Sequence, residues 1–566
     1  MTGIIMLLIA IIVLGGAYLI YGKYLCKTWG IDENAKTPAY EYEDGVDYVP
    51  ADTQMVFGHQ FASIAGAGPI SGPILAAVFG WVPVLLWILI GGIFFGAVQD
   101  FVSMYASVKN KGRTIGYIIE EYIGKSGKFL FLIFCWLFCI LVIAAFADVV
   151  ANTFVSNSDV VATNLANGSV ATTSSLFILE AVGLGFILRY GKLNKLVNTI
   201  LAILLLVVGI SVGLSAPILG VSVHTWHVIV FLYIMIASVV PVWSLLQPRD
   251  YLNSYLLIFM IAAAVLGIVV ANPSINMNAF NGFYVEGMGY LFPILFVTIA
   301  CGAVSGFHSL ISSGTSSKQI KNEKSMLPVS FGSMLLESLL AVVSLIVVGS
   351  FVGGTTGAAE LGYTTPSLVF AGGIAGFLET IGLPHTVVFT LINLAVSAFA
   401  LTSLDSVARI GRLSFQELFL NADIDDESMK PWRKVVTNKY FATAITLLFA
   451  YALAKMGYSN IWPLFGSANQ LLSALALIAC AVFLKKTNRN GKMIWAPMTI
   501  MLCVTLSALT ITIYSKVASL VARTSTSIPG DLLQLSFAIV LFILGIIVAG
   551  KGFKRLMEKD TQPQSA

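Results

Sequence analysis

The stretch FGHQFASIAGAGPISGP, residues 57–73, opens a hydrophobic segment and contains four glycines and two prolines. Lipid offers no water to backbone groups, so a membrane-spanning segment normally keeps its hydrogen bonds inside a regular helix. Proline lacks the backbone donor and glycine disfavours helix, so this stretch cannot form one continuous helix. Such half-helices at membrane depth are a pointer to the ligand-binding site of a transporter. The stretch therefore predicts a discontinuous helix with a binding site at its break.

The composition places the whole chain in a membrane. Of its 566 residues, 57% are hydrophobic and 11% are charged, and the mean hydropathy is +0.89. Soluble proteins carry about 25% charged residues. The net charge of +4 is small, which argues against a nucleic-acid partner. The six cysteines lack metal-site spacing, so we expect no metal. No GxxxxGKS/T motif occurs, which argues against ATP-driven transport, and no catalytic motif occurs, so we expect no cofactor and no enzyme activity.

The loops between the apolar runs predict the orientation. Lysine and arginine concentrate in alternate loops, such as 109–128 and 318–324, whereas loops 151–171 and 272–288 contain neither. Basic loops stay in the cytoplasm. The N-terminus is therefore predicted to lie outside and the C-terminus in the cytoplasm.

One loop breaks this alternation. Loop 405–438 is basic, but it would lie outside if every apolar run crossed the membrane. The short, glycine-rich run 366–382 is the simplest one to reassign, as a re-entrant or surface helix. We predict an all-α multi-pass membrane protein with about 15–16 transmembrane helices. Its parts are an N-terminal helix and acidic loop (1–57), a transporter core (58–404), a cytoplasmic loop (405–438) and C-terminal helices (439–566).

Two irregular stretches supply the candidate substrate-binding residues. In the first, at 57–73, we expect the glycines to let the backbone approach a ligand. The second, VPVWSLLQPRDY at 240–251, has a proline near each end, although a simple kink explains it as well. The candidates are His59, Gln60, Ala65, Gly66, Gly68, Pro69, Trp243 and Gln247.

Two further stretches interrupt the apolar pattern. Residues 301–318, CGAVSGFHSLISSGTSSK, are rich in hydroxyl groups, and residues 460–473 combine Pro463 with Asn469 and Gln470. Hydroxyl and carbonyl oxygens suit a hard cation such as sodium, whereas a histidine can carry a proton. Serines in a span also hydrogen-bond their own helix. The candidate coupling residues are His59, His308, Ser309, Ser312 and Ser313.

Ionisable residues inside spans are functional candidates, because an unpaired charge is unfavourable in lipid. Asp100 lies within a span, and Glu337 lies deep in another and needs a partner that the sequence does not name. Asp405 and Arg409 are one helical turn apart, which fits either a local ion pair or a gate. We therefore group Asp100, Asp405 and Arg409 as candidate gate or ion-pair residues.

Together these motifs make the chain resemble the carbon starvation protein family, also called the CstA-type peptide transporters. The resemblance extends from about Gly58 to Leu484. It is carried by FGHQFASIAGAGPISGP (57–73), GAVQDF (96–101), QPRDYL (247–252), SGFHSLISSGT (305–315), LTSLDSVARIGR (401–412) and IWPLFGSANQLL (461–472).

The resemblance implies a secondary transporter of the bacterial inner membrane that imports peptides or pyruvate under carbon starvation, with protons more than sodium as the coupling cation. It also implies a LeuT-type five-plus-five inverted repeat with discontinuous helices. In that fold 58–80 would be the first core helix and 226–246 the sixth, with substrate between Ala65–Pro69 and Pro241–Gln247. The serines near 309–313 would form a cation-type site between the first and eighth core helices.

Other functions stay open from the sequence. One is a sodium-coupled solute symporter, and another is a membrane nutrient sensor that acts through a partner. A channel is disfavoured, because broken helices with few charges do not make a continuous polar pore. The expected partners are small peptides or pyruvate, a coupling cation and the lipid bilayer, with no nucleic acid.

Overall fold

In the computed structural model the chain is almost entirely helical. The structure describes residues 1–44, 48–156, 161–191, 194–241, 244–419, 430–525 and 527–558. These residues include one antiparallel strand pair, β1 (Tyr284–Val285) and β2 (Gly289–Tyr290). The α-helices are α1 (Gly3–Ala17), α2 (Lys23–Trp29), α3 (Pro38–Glu41), α4 (Thr53–Ile64), α5 (Gly68–Ala76), α6 (Trp81–Gly91), α7 (Val98–Lys109), α8 (Ile115–Tyr122), α9 (Lys125–Phe154), α10 (Val161–Tyr190), α11 (Lys195–Ser215), α12 (Val223–Val239), α13 (Leu246–Ala271), α14 (Leu291–Thr298), α15 (Gly306–Gly314), α16 (Ser333–Ser350), α17 (Thr355–Glu360), α18 (Pro366–Glu379), α19 (His385–Phe419), α20 (Pro431–Val436), α21 (Lys439–Ala454), α22 (Tyr458–Lys486), α23 (Lys492–Val521) and α24 (Ile528–Met557).

Most of these helices are built to cross a membrane. Among the described residues, 11 helical segments are long and apolar enough to do so singly, and the bent pair α4 and α5 is a further candidate. Helices α12 and α21 are apolar but shorter. Helix α22 lies at the centre, since its most apolar part is fully buried, whereas only 17% of the corresponding part of α11 is buried. The predicted all-α multi-pass membrane fold is confirmed.

Two helices are discontinuous. Residues Ala65–Ala67 separate α4 from α5, and the direction of the helix axis changes by 43° between them. Residues 299–305 are not helical and separate α14 from α15. The first break is the one predicted from glycine and proline content. The second is where the serine-rich stretch begins.

The predicted sixth core helix, 226–246, is therefore wrong. Helix α12 is an ordinary helix that ends at Val239, just before Pro241. The chain resumes as α13 at Leu246, and Pro248 lies in the first turn of α13, where no backbone donor is required. Proline at these two positions ends one helix and begins the next, so it makes a turn between helices and not a break within one.

The elements after each break repeat in the same order. A helix with one π-turn follows, Trp81–Lys109 and then Glu323–Ser350. Next come short helices, α8 in the first half and α17 and α18 in the second. A long helix follows, α9 or α19, and these long helices pack extensively on each other. The N–H of Ala51, just before α4, bonds to the carbonyl of Gln319, just after α15, at 3.1 Å. The two discontinuous helices therefore run in opposite directions, as a five-plus-five inverted repeat requires.

Helix α18 occupies most of 366–382, where a re-entrant or surface helix was predicted. Its 14 residues span about 21 Å, less than the roughly 30 Å of the hydrocarbon core. A Cβ atom on Gly373 would touch Val347 near the end of α16, and one on Gly267, near the end of α13, would touch Phe377. Helix α18 therefore lies across one end of the bundle.

Three boundaries predicted from the sequence differ from those in the structure. Helix α19 continues through Asp405 to Phe419, so the first part of the predicted 405–438 loop is a buried helix. Residues 460–473 belong to the continuous helix α22 despite Pro463. Helix α4 begins at Thr53, so the core starts before residue 58. Apolar packing against neighbouring helices overrides the local polar signal at each of these places.

The placement of α18 can be tested by labelling. Single cysteines at Thr365 and Pro384, in a variant without the six native cysteines, should both react with an impermeant thiol reagent added to intact cells, because α18 begins and ends on one face. Lys111→Cys, on the predicted cytoplasmic side, should react only after permeabilisation. Reaction of the cysteine at position 384 from inside alone would mean that α18 crosses the membrane.

Candidate functional site

The two breaks pack directly against each other. A Cβ atom on Gly68 would lie 2.4 Å from the Cβ atom of Cys301. One on Gly72 would lie 2.9 Å from the carbonyl oxygen of Thr298. No side chain fits between the segments, so glycine is needed for this close approach. The unwound backbone of both discontinuous helices therefore meets at one level of the bundle.

Amide side chains from α7 and α22 bind the backbone around the second break. Gln99 Nε2 donates to the carbonyl of Ser305 at 2.5 Å, and Asn469 Oδ1 accepts from the N–H of Phe307 at 3.1 Å. Gln470 donates to the carbonyl of Phe296. Backbone groups at this depth are very unfavourable without a partner. Asn469 and Gln470 therefore satisfy a neighbouring break and do not interrupt their own helix.

The carboxylate–histidine cluster consists of Asp100, His308 and Glu337. Nδ1 of His308 lies 3.1 Å from Oδ2 of Asp100, and Nε2 lies 3.3 Å from Oε2 of Glu337, although the second contact lacks hydrogen-bond geometry. All three side chains are fully buried. They come from α7, α15 and α16, so the second discontinuous helix carries the histidine and continuous segments carry the acids. Glu337 thereby gains the partner that the sequence could not name.

The predicted coupling serines form hydrogen bonds with their own helix or with Gln60. The hydroxyl of Ser309 donates to the carbonyl of Gly306 at 2.6 Å, and that of Ser313 to the carbonyl of Ser309 at 2.6 Å. Ser312 accepts from Gln60 Nε2 at 2.9 Å. Gln60, predicted to bind substrate, thus joins the inner halves of the two discontinuous helices. These serines lie on α15, the second discontinuous helix, and not on an eighth core helix.

A second group of charges, the arginine cluster, consists of His59, Arg249, Asp250 and Asp405. Arg249 Nη1 binds the carboxylate of Asp405 and the hydroxyl of Tyr233, and Asp250 Oδ2 lies 3.4 Å from Nδ1 of His59. Arg249 is 3% exposed and Asp405 is fully buried. The cluster joins α4, α12, α13 and α19. Each charge therefore has an opposite charge beside it, as burial in a membrane requires.

The predicted grouping of Asp100, Asp405 and Arg409 is divided in the structure. Asp100 belongs to the carboxylate–histidine cluster, and Asp405 binds Arg249 on another helix. The guanidinium of Arg409 donates to the carbonyls of Ala237, at 2.7 Å, and Val240. Carbonyls at the C-terminal end of a helix have no partner within it, so Arg409 caps α12.

The glycines of the first break face protein and not open space. Ala65, Gly66, Gly68 and Pro69 are all buried, and a Cβ atom on Gly66 would lie 2.6 Å from Oγ of Ser403. Gly68 meets Cys301, as described above. These glycines let helices approach each other, and the approach of a ligand to the same backbone stays a prediction. Trp243 and the side chain of Gln247 lie outside the described residues.

The segment after α2 joins the predicted cytoplasmic ends of both discontinuous helices. Glu323 binds Lys109 at 2.5 Å and accepts from the N–H of Asp32 at 2.9 Å. Lys321 donates to Asp52, next to the start of α4, at 2.7 Å. This hydrogen bond raises the pKa of Lys321 above its usual value. The basic loops 109–114 and 318–324 therefore lie on one face, as the orientation rule predicted.

Sequence reasoning missed several residues that build these sites. Gln99, Arg249 and Asp250 stand inside quoted motifs, but nothing in their local spacing named their partners. His227 was also missed, and it forms a buried pair at 2.9 Å with Asp148, an ionisable residue of an apolar run, near the opposite face. A polar residue inside an apolar run was the available signal. The partner is set by packing between helices far apart in the sequence.

Known proteins resemble this chain over most of its length. The family described as carbon starvation protein CstA matches residues 2–360 and 352–508. The peptide transporter CstA of Escherichia coli (strain K12) is 32% identical, over 84% of this chain and 76% of that protein. The peptide transporter CstA of Bacillus subtilis is 31% identical, over 86% of each chain. The pyruvate/proton symporter BtsT of E. coli is 32% identical, over 85% of this chain and 77% of that protein.

Solved structures are more distant. A manganese transporter of Eremococcus coleocola aligns with 91% of this chain and 99% of its own, at 13% sequence identity and a TM-score of 0.49. A second structure, of a mutant of that transporter, aligns with 89% of this chain and 95% of its own at 12% sequence identity and the same TM-score of 0.49.

The packing role of Gly68 can be tested by stability. Gly68→Ala should lower the free energy of unfolding by about 1–3 kcal/mol, the usual cost of overpacking, because the new Cβ would overlap Cys301. The melting temperature of purified protein in detergent measures this. Adding Cys301→Gly should restore part of the loss. Gly376→Ala, where a Cβ meets no atom within 4 Å, is the control, and an equal loss there would contradict the packing account.

Proposed function

This chain belongs to the carbon starvation protein CstA family, and on that basis we propose that it is a secondary active transporter importing short peptides or a small carboxylate such as pyruvate, coupled to protons. One observation carries the proposal: the second of two facing discontinuous helices bears a fully buried histidine, which lies between two carboxylates from other helices. Relatives named as peptide transporters and as a pyruvate/proton symporter support it. A transport role also agrees with our expectation of a non-enzymatic protein.

We place the substrate at the paired breaks. Helix α5 begins at Gly68 and α15 at Gly306, directly after the unwound residues. The N-terminal end of a helix carries partial positive charge, which favours the oxygen atoms of a ligand. Both peptides and pyruvate carry carbonyl oxygens. The proposed site lies beside Ala65–Pro69 and residues 299–305, and residues 299–305 replace Pro241–Gln247 as its second segment.

The carboxylate–histidine cluster is the proposed proton site. If all three groups were ionised, two negative charges and one positive charge would leave a net negative charge buried in the protein, which is unfavourable. One further proton neutralises the cluster. His308 lies on the inner half of a discontinuous helix, whereas Asp100 and Glu337 lie on other helices. A movement of α15 therefore changes the distances from His308 to both acids, which links proton binding to transport.

Sodium coupling has less support. Neutral hydroxyl groups can bind sodium but cannot carry a proton near neutral pH. The hydroxyls of Ser309 and Ser313 are donated to carbonyls of their own helix, and Ser312 binds Gln60. These hydrogen bonds give the serines a structural role without any ion.

The proposed location is the bacterial inner membrane, with the N-terminus outside and the C-terminus in the cytoplasm. The contacts between Lys109 and Glu323 and between Lys321 and Asp52 support the gathering of basic loops on one face. Basic loops face the cytoplasm. Import under carbon starvation is part of the same proposal.

Purified protein in liposomes tests the function. An inward proton gradient should drive uptake of pyruvate or of di- and tripeptides, and uptake should fall as external pH rises above about 7.5, within the range over which histidine side chains in general change charge. His308→Ala, Glu337→Gln and His59→Ala should each flatten the pH profile. In the first two, exchange of labelled for unlabelled substrate should continue, because it needs no net proton movement.

The double substitution Ser312→Ala and Ser313→Ala is the matched control. It should preserve the pH profile and lower the rate only modestly. Uptake that requires sodium, ignores pH and collapses in this double variant would replace proton coupling with sodium coupling.

A further inference from the structure

Arg249 is a buried guanidinium whose donors are only partly used. Its side chain is 3% exposed, and Nη1 alone contacts Asp405 and Tyr233. Nε and Nη2 have no hydrogen-bond partner among the described residues, and Oδ1 of Asp250 lies 3.9 Å from Nη2. Unpaired donors on a buried charge are strongly unfavourable. The functional protein therefore requires a hydrogen-bond acceptor for Nε and Nη2 of Arg249.

The unused donors have a specific shape. Nε and Nη2 of an arginine point in parallel and match the two oxygens of one carboxylate. Asp405 accepts a hydrogen bond from Nη1 of Arg249 and from no other atom of that guanidinium. The other edge of the Arg249 guanidinium is therefore a carboxylate-binding fork.

The fork lies beside the first discontinuous helix. Asp250, the next residue, contacts His59 on α4, which is six residues before the break at Ala65–Ala67. That separation corresponds to about 9 Å along a helix. One turn further along α13, Asn253 Nδ2 donates to Thr402 Oγ1 on α19 at 2.8 Å. The fork is therefore at the junction of α4, α13 and α19, on the predicted cytoplasmic side of the break.

We propose that the Nε and Nη2 donors of Arg249 bind the carboxylate of the transported substrate, and this inference rests on the proposed function. The charges of the cluster indicate which carboxylate fits. With His59 neutral, Arg249, Asp250 and Asp405 together carry one net negative charge. Pyruvate would add a second negative charge, whereas a zwitterionic peptide adds no net charge. Oδ1 of Asp250 has no hydrogen-bond partner among the described residues, so it can accept a hydrogen bond from the ammonium group of a peptide. The cluster therefore favours the C-terminal carboxylate of a short peptide.

The experiment compares alanyl-alanine, its C-terminal amide and pyruvate. Each competes with labelled alanyl-alanine for purified protein in detergent, and uptake into liposomes is measured in parallel. Wild-type protein should bind the acid roughly tenfold or more tightly than the amide, since the amide loses charge-assisted hydrogen bonds. Arg249→Lys keeps the charge facing Asp405 but loses the fork, so the ratio should fall towards one. Arg113→Lys, an exposed arginine that stacks on Tyr117, should keep the wild-type ratio.

Several results would overturn the inference. Equal affinity for acid and amide in the wild-type protein would do so, and this result decides the matter if Arg249→Lys does not fold. If Arg249→Lys lowered the affinity for the acid and for the amide by the same factor, Arg249 would have only a structural role, as the ion-pair partner of Asp405. Uptake of pyruvate into liposomes without specific binding of labelled alanyl-alanine would overturn the assignment to a peptide. Peptide uptake without preference for the acid refutes this inference alone, whereas no uptake of peptide or pyruvate refutes the proposed function as well.

Discussion

Unwound backbone inside a membrane has to find its hydrogen-bond partners within the protein, and the rest of the structure depends on this constraint. The second break binds amide side chains of Gln99, Asn469 and Gln470. These residues bring α7 and α22 against the break, and α22 is the most deeply buried of the long helices. The central packing of the bundle is thus organised around groups that a continuous helix would have satisfied alone.

The breaks also produce short half-helices that carry charge. Helix α4 bears His59 and α15 bears His308, and each histidine faces an acid on a neighbouring helix. The two half-helices run in opposite directions and lie on the same predicted cytoplasmic side of their breaks. A short helix anchored by one break can move with respect to continuous neighbours, and its histidine then changes surroundings. The same geometry therefore joins the proposed substrate site to groups that can hold a proton.

The two charged clusters differ in their balance. In the arginine cluster a permanent cation lies among carboxylates, and Arg249 stays charged at any physiological pH. The carboxylate–histidine cluster has no permanent cation, so its charge depends on bound protons. A division follows from this chemistry: Arg249 suits recognition of a charged ligand, whereas the two histidines, His308 between its acids and His59 beside Asp250, suit coupling to protons.

Local chemistry accounts for what could be predicted of the fold. Hydropathy indicated a multi-pass membrane protein, and the glycines and prolines at 65–73 indicated the first break, because helix propensity acts within a few residues. Prolines at 241 and 248 gave the same local signal and were misjudged. A proline that ends one helix and begins the next cannot be told from a broken helix without knowing where the following segment packs.

The sequence by itself determined that this chain crosses a membrane many times, contains broken helices and buries a few ionisable residues, because hydrophobicity and helix breaking are properties of short segments. Only the tertiary structure decided which of those residues meet. Asp405 is four residues from Arg409 but binds Arg249, 156 positions away, and His308 binds Asp100, 208 positions away. In a membrane every buried charge and free backbone group must find a partner. That partner is whichever one the packed helices bring within reach, which spacing along the chain does not encode.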